Sequence, residues 1–485
     1  MRILFIYPDI SGVEHYGAPK YYSGLGSISA VLKAAGHETA LLYLQHEWSQ
    51  QAFVAAIAEA SPQIVGFSCT THQYPYALRY AHALKASYPE ILILCGGVHA
   101  TLVPDEVIAD SVWDIVCVGE GEYSLRDLMA RLEAGAPYLD VPNLWINQDG
   151  KTIRNPLRPL IADLDELPFV DRELFDYDAL LAANGGWVDL IAGRGCPYRC
   201  SYCCNHALQE RYRGLGRYVR MRSVAHVLDE IRALAKRYPV RVINFQDDVL
   251  TLDRRWTLAF CEGYGAEFNF PFWVNARVES LLDEKVVAAL AAAGCAGVRV
   301  GVENGDESLR KSVLKRTMSN ADFVTAFRLA RRHGLKTYTC NMIGVPGETP
   351  ETIQATIALN RLLAPDGFQF SVFFPYPMTE LYETCVSQDL IRPDAQAASY
   401  YGRESILNLP TLTAAELAEG YDRFEALRDE LALRHASPWK YAVYRLLLGI
   451  YRGDAPRLHR HLALWRSLRR RAHTLLRSPG NGKVT

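Results

Sequence analysis

Residues 187–205 read WVDLIAGRGCPYRCSYCCN, a bulky apolar run that ends in glycine and arginine and is followed at once by Cys196, Cys200, Cys203 and Cys204. The first eight residues have the composition of a strand, and the cysteines fall on the loop that leaves it. Cys196, Cys200 and Cys203 are spaced C-x3-C-x2-C, so three thiolates on one short loop can converge on a metal centre. Soft sulfur selects iron–sulfur clusters, zinc or copper. Zinc wants a fourth ligand: Cys204 is adjacent to Cys203 and the two do not readily turn inward together, while His206 would distort the loop. A [4Fe–4S] centre normally takes four thiolates, so three leave one iron open to a substrate or cosubstrate. Structural zinc is the other reading of the cluster.

Working outward, the strand at 187–194 is the first of six, the others at 240–248, 268–277, 297–303, 336–344 and 367–376, with helical stretches between them. Six βα units imply a parallel barrel or partial barrel, with its chemistry at the carboxyl ends of the strands. Upstream, strand-like runs at 2–8, 38–44, 63–69, 91–97 and 114–120 also alternate with helices and are apolar throughout. That pattern is an α/β doubly wound parallel sheet, whose ligands sit at the strand carboxyl ends, here the loops 68–74, 96–101 and 119–124. Residues 136–186 carry prolines, an N-Q-D-G turn at 147–150 and little periodicity, and read as a linker with a small hairpin. The expected organisation is a Rossmann-like domain at 1–135, a linker at 136–186, a partial barrel at 187–390 and a helical basic region at 391–485.

The chain of 485 residues is too long for one core, and its net charge of −2 gives no global attraction to nucleic acid or an anionic surface. The opening MRILFIYPDI is too short for a signal peptide, and no apolar run approaches the ~18 residues of a membrane span, which places the protein in the cytoplasm. Cys69, Cys95, Cys117, Cys261, Cys295, Cys340 and Cys385 are scattered in apolar surroundings and read as buried thiols rather than a disulfide framework. From Arg434 to Thr485 there are twelve Lys or Arg against the single acid Asp454, interleaved with Trp439, Tyr441, Tyr444, Tyr451 and Trp465. That tail reads as a helical cap with a solvated basic face or as a peripheral contact with an anionic membrane, with no nucleic-acid module behind it.

The cysteine motif, with Tyr202 in the aromatic position beside Cys203, resembles the radical S-adenosylmethionine superfamily, whose signature is C-x3-C-x-aromatic-C. The resemblance implies a [4Fe–4S] cluster on Cys196, Cys200 and Cys203. Its free iron chelates S-adenosylmethionine, which is cleaved to a 5′-deoxyadenosyl radical. FQDDVLTLD at 245–253 stands where many members carry glycine–glycine–glutamate, so Asp247 and Asp248 are the candidates to meet the methionine amino group. Asn275 and Arg277 in WVNAR, Glu303 in GVRVGVENG, and Asn341 and Gly344 in NMIGVPGET are the other expected S-adenosylmethionine contacts.

A doubly wound domain ahead of such a barrel, with GGVHAT and VGEGE in its loops, resembles the cobalamin-binding branch. The implied cobalamin contacts are Ser68, Thr70, Gly96, Gly97, His99, Gly119, Glu120 and Gly121. D-x-H-x-x-G, the string that supplies a histidine to cobalt, does not occur. The resemblance implies methyl transfer from methylcobalamin to an unactivated carbon or to phosphorus of a biosynthetic intermediate. Its alternatives are cyclisation, oxidation or coupling on a hydrophobic or lipid-like substrate, with or without cobalamin. A flavodoxin or ferredoxin is the implied reductant and a small-molecule or lipid-like compound the implied substrate.

Overall fold

The computed structural model describes residues 1–148, 150–393, 402–451 and 453–462. The first sheet contains β1 (Arg2–Pro8), β2 (Glu38–Leu44), β3 (Ile64–Ser68), β4 (Leu92–Gly96), β5 (Ile115–Cys117), β6 (Leu144–Gln148) and β7 (Lys151–Arg154), in the order β2-β1-β3-β4-β5-β6-β7. The first five strands are parallel. Their 2-1-3-4-5 order is the flavodoxin-like doubly wound arrangement, which opens a ligand crevice at the carboxyl ends where the winding reverses. Both faces are covered, which is why β3 reads IVGFS with every residue buried rather than alternating.

The hairpin expected in the linker is β6–β7, and it does not stand apart: β6 pairs antiparallel with β5. β5 is only three residues long, and without Trp145 and Ile146 alongside it the sheet would end in an open edge. The rest of the linker is also packed, with Phe175, Tyr177 and Leu181 buried in a core that runs continuously from Ile3 to Val298 across both sheets. Arg172 fastens this junction, donating to the Tyr177 hydroxyl at 2.7 Å and the Asp189 carbonyl at 2.8 Å.

The second sheet contains β8 (Trp187–Leu190), β11 (Val242–Phe245), β12 (Phe272–Ala276), β13 (Cys295–Glu303), β14 (Lys336–Ile343) and β15 (Gly367–Val372), all parallel, in the order β15-β14-β13-β12-β11-β8. A short antiparallel ribbon, β9 (Gly193–Arg194) with β10 (Arg220–Met221), lies at the end of β8. Along β13, Val298, Val300 and Val302 are fully buried, while Arg299, Gly301 and Glu303 line the chamber inside the half-barrel. The helix Ala414–Ala436, opened by a Thr413/Glu416 capping box, closes the β15 side with Phe424 and Leu427. Much of the basic tail singled out in the sequence, including Trp465, lies outside the described residues. No disulfide joins any of the eleven cysteines, six of the seven scattered ones are buried, and Cys340 lines the barrel chamber. Among the described residues no helix is long and apolar enough to cross a membrane.

Candidate functional site

The cysteine loop is held by its neighbours before any ligand is considered. Gly195 has φ +86°, and a Cβ there would come within 2.5 Å of the Tyr218 carbonyl oxygen, so only glycine lets the chain turn from β9 into Cys196. Asp247, buried at the end of β11, accepts from the N–H groups of Ala192 and Gly193 at 2.9 and 2.7 Å and so fixes the start of the loop. Burial pushes its carboxyl up to about 7, against those hydrogen bonds.

Cys200 is buried, and its sulfur accepts from two guanidinium groups, Arg277 Nη1 at 3.7 Å and Arg316 Nη1 at 3.8 Å. Cys203 Sγ accepts from Asn205 Nδ2 at 3.7 Å, and donation from the Cys204 thiol holds it below the usual thiol range. Burial pushes Cys196 up to about 11. Among the described residues no three Cys, His, Asp or Glu side chains come close enough together to grip a single metal ion. Three sulfurs spread along a loop suit a cluster whose irons occupy separate corners, and the two cations at Cys200 suit an anionic one.

A chamber of about 860 Å³ descends from this loop into the half-barrel. Cys196, Cys200, Cys203, Tyr202, Asp248, Asn275, Arg277 and Glu303 all line it. Arg277 lies over the Tyr198 ring at 3.5 Å and pairs with Glu279 at 2.7 Å, and Asn275 donates to the Asp247 carbonyl at 2.8 Å. Glu303 adopts φ +64°, a left-handed backbone uncommon for a residue with a side chain, and burial pushes its carboxyl up although Arg316 and the Tyr202 hydroxyl oppose this. Asp247, Asn341 and Gly344 are not on this wall. Asp247 is spent on the loop backbone, Asn341 is buried in a network with Thr339 and Asn360, and the Gly344 N–H donates to Glu348. Arg316 and Asn205, which the sequence reading passed over, do line the chamber.

A second cavity of about 550 Å³ lies at the strand ends of the first sheet and is lined by Ser68, Gly96, Gly97, Gly119, Glu120 and Gly121. Thr70 and His99 are not on its wall; the buried His99 ring packs on Tyr74 at 4.3 Å, its Nδ1 is 3.3 Å from the Thr71 hydroxyl, and burial lowers its pKa to about 4. Gly97 has φ +95°, and a Cβ would meet the Cys69 carbonyl oxygen at 2.6 Å, so the wall is backbone pressed on backbone. With Gly66 these glycines leave one face of the cavity bare backbone, while Tyr22, Ile28, Phe67, Leu125 and Phe169 supply side chains around it, a cradle suited to a large planar cofactor such as cobalamin. Glu120 carries structural work as well. Burial opposes its charge, yet Arg194 and Arg220, each 2.9 Å away, hold its carboxyl below the usual range. The two cavities share one wall, built by Tyr22, Ser23, Ile191, Asn205, Gln246 and Asp248.

The B12 binding domain family matches residues 15–129, and the Radical SAM superfamily matches residues 190–359. The chain is a radical S-adenosylmethionine protein with a B12-binding domain. An uncharacterized methyltransferase of Pyrococcus horikoshii is 29% identical over 338 residues, 69% of this chain and 72% of the relative. Anaerobic magnesium-protoporphyrin IX monomethyl ester cyclase of Rubrivivax gelatinosus is 27% identical over 79% of this chain and 70% of its own. Cytidylyl-2-hydroxyethylphosphonate methyltransferase of Streptomyces wedmorensis is 25% identical over 88% and 90%. Among solved structures, a radical S-adenosylmethionine methyltransferase from Kitasatospora setae shares the fold, with TM-score 0.67 at 20% identity over 88% of this chain and 89% of that one. The cofactors of this radical S-adenosylmethionine enzyme are a [4Fe–4S] cluster, S-adenosylmethionine and cobalamin, and the cysteine loop and glycine cradle fit them.

Proposed function

We propose that the protein transfers a methyl group to an unactivated carbon or to phosphorus of a small-molecule substrate, with Cys196, Cys200 and Cys203 holding the cluster. The observation that carries this reading is the shared wall: the chamber below the cysteine loop and the glycine cradle meet at Asp248, Asn205 and Gln246. A substrate in the barrel chamber would then face both a hydrogen-abstracting radical and a methyl donor. When bound, the cluster and S-adenosylmethionine supply the 5′-deoxyadenosyl radical, and cobalamin supplies the methyl group. In this reading Asp248 and Asn275 accept from and donate to the methionine portion of S-adenosylmethionine, and Arg277 and Arg316 offset the negative charge at Cys200. Glu303 and Tyr202 bound the adenosyl portion. Reduction proceeds one electron at a time, a task suited to a flavodoxin or ferredoxin.

The test is anaerobic turnover with S-adenosylmethionine carrying a trideuterated methyl group. Transfer of that methyl to product, together with 5′-deoxyadenosine formation, is expected. Iron-free protein after reconstitution, or 5′-deoxyadenosine from Cys200→Ala, would overturn the cluster assignment. Deoxyadenosine without label in any product would favour the cyclisation, oxidation or coupling alternative.

A peripheral membrane contact has support of its own. The helix Pro438–Ile450 exposes Trp439, Val443, Leu446 and Ile450 along one stripe, with Leu446 at 69% exposure, beside Lys440 and Arg445. Co-sedimentation with phosphatidylserine vesicles but not with phosphatidylcholine vesicles is expected, and Leu446→Glu should abolish it.

A further inference from the structure

We propose that the inner part of the barrel chamber is an anion subsite, and that the substrate is a small polar molecule bearing a carboxylate or a phosphate-type oxyanion rather than an apolar lipid. Calling the occupant a substrate rests on the reaction proposed above, whereas the subsite itself rests on the following geometry.

The interior of a parallel barrel is ordinarily filled by branched apolar side chains. Here the inward positions of β8, β11, β13 and β15 are Asp189, Asn244, Arg299 and Gln369, all polar and all on the chamber wall. Arg299 is oriented from two sides. Its Nη2 donates to Asn244 Oδ1 at 2.8 Å, and its guanidinium lies 5.1 Å from the centre of the Trp273 ring. Asn244 in turn donates to Asp189 Oδ1 at 2.6 Å, and Gln246 donates to the same oxygen at 3.0 Å, so the Asp189 carboxylate is turned to amides. A second cation, Lys20, reaches the chamber from the first domain and is held by Asn184 Oδ1 at 2.5 Å. Among the described residues neither Lys20 nor Arg299 forms an ion pair. Burial lowers the pKa of Arg299 although the Asp189 carboxylate on the same wall opposes this, so a further anion beside the guanidinium would stabilise its charge.

The amino-acid end of S-adenosylmethionine is not that anion. Arg299 pairs with Tyr338 of β14 while Glu303, past a bulge, pairs with Asn341 three residues on, which sets Arg299 about 10 Å below the strand end at ~3.3 Å per residue. Arg277 and Arg316 occupy the cluster end, and the adenosyl group is uncharged. An adjoining space of about 210 Å³, also lined by Lys20, Asp189 and Asn244, gives the polar region further room. A planar guanidinium fixed by stacking and a neighbouring ammonium are together suited to a two-oxygen anion.

The test uses the full chain loaded with cluster, cobalamin and a non-cleavable S-adenosylmethionine analogue. It is equilibrated with matched acid and neutral probes, and ligand retention is measured by mass spectrometry. One arm pairs indole-3-propionate with its amide, and the other pairs 2-hydroxyethylphosphonate with its dimethyl ester. The acid of at least one pair should be retained roughly tenfold better than its neutral partner, a difference of about 1.4 kcal/mol. The arm that responds distinguishes carboxylate from phosphonate chemistry. Arg299→Gln and, separately, Lys20→Gln should bring the pair toward equal retention while cobalamin retention stays unchanged, which controls for misfolding. Equal retention within both pairs, or acid retention no better than in Arg299→Gln, overturns the subsite. No methyl transfer is needed for this readout: a failure of the proposed reaction leaves the subsite standing, and a preference for neutral probes removes the subsite without touching the reaction.

Discussion

Glu303 holds a left-handed backbone at φ +64°, a conformation that costs a residue with a side chain about 1–2 kcal/mol. Such strain persists where the side chain is needed, so Glu303→Gly should unfold at the same or higher denaturant concentration yet bind S-adenosylmethionine more weakly. A variant that both loses stability and keeps binding would contradict this. Gly301 belongs to the same argument, because a Cβ there would come within 2.3 Å of Glu303 Oε1. Gly301→Ala should therefore displace the carboxylate and weaken S-adenosylmethionine binding while leaving iron content unchanged. At this scale the cysteines were legible because their spacing is local. Arg316 was not, since it reaches Cys200 across 116 residues and no motif marks it. Asp247 and Asp248 show why adjacent acids could not be told apart: one turns to the Ala192 and Gly193 backbone and the other to the chamber.

Glu348, two residues before the helix Pro350–Leu363, is fully buried, accepting from Asn304 Nδ2 at 2.7 Å and from the backbone of Gly344 and Val345. Burial raises its carboxyl from an ordinary 4.5 to about 8, against those donors. The folded chain thus binds a proton that the unfolded chain has released between these values. This contribution to stability is complete below pH 4.5 and is lost as pH rises toward 8. Glu348→Gln should flatten the fall in urea-unfolding free energy across that window; an unchanged slope would show that Glu348 does not titrate there. Phe424, fully buried between Phe368 and Phe370, seals the β15 edge with the helix Ala414–Ala436, and Phe424→Ala should cost about 3–5 kcal/mol by the same measurement. The strands were legible because each is an unbroken apolar run between turn residues. The docking of β6 on β5 was not, since pairing across a sheet edge leaves no periodic trace. Gly344 shows the same limit: its glycine serves a φ of +78° and a bond to Glu348, a backbone role that looks in sequence like any ligand loop.

At the scale of the whole molecule, Arg194 bridges Glu120 and Glu122 of the first domain, and Arg220 meets the same Glu120, so the ribbon bearing the cysteine loop is clamped to the glycine cradle. Removing one partner leaves buried charge uncompensated, and Glu120→Ala should cost about 3 kcal/mol and split a single calorimetric transition into two. Retention of one transition at the wild-type temperature would show that the clamp does not couple the domains. The two-domain plan could be read from βα alternation, whereas this clamp could not, because each charge looks like an ordinary surface residue until the folds meet. The segment carrying Tyr16, Lys20, Tyr21 and Tyr22 leaves the first sheet and completes the barrel chamber. A half-barrel severed from that segment would have its radical compartment unroofed, so it would squander S-adenosylmethionine in solvent-quenched cycles even with every cluster ligand intact.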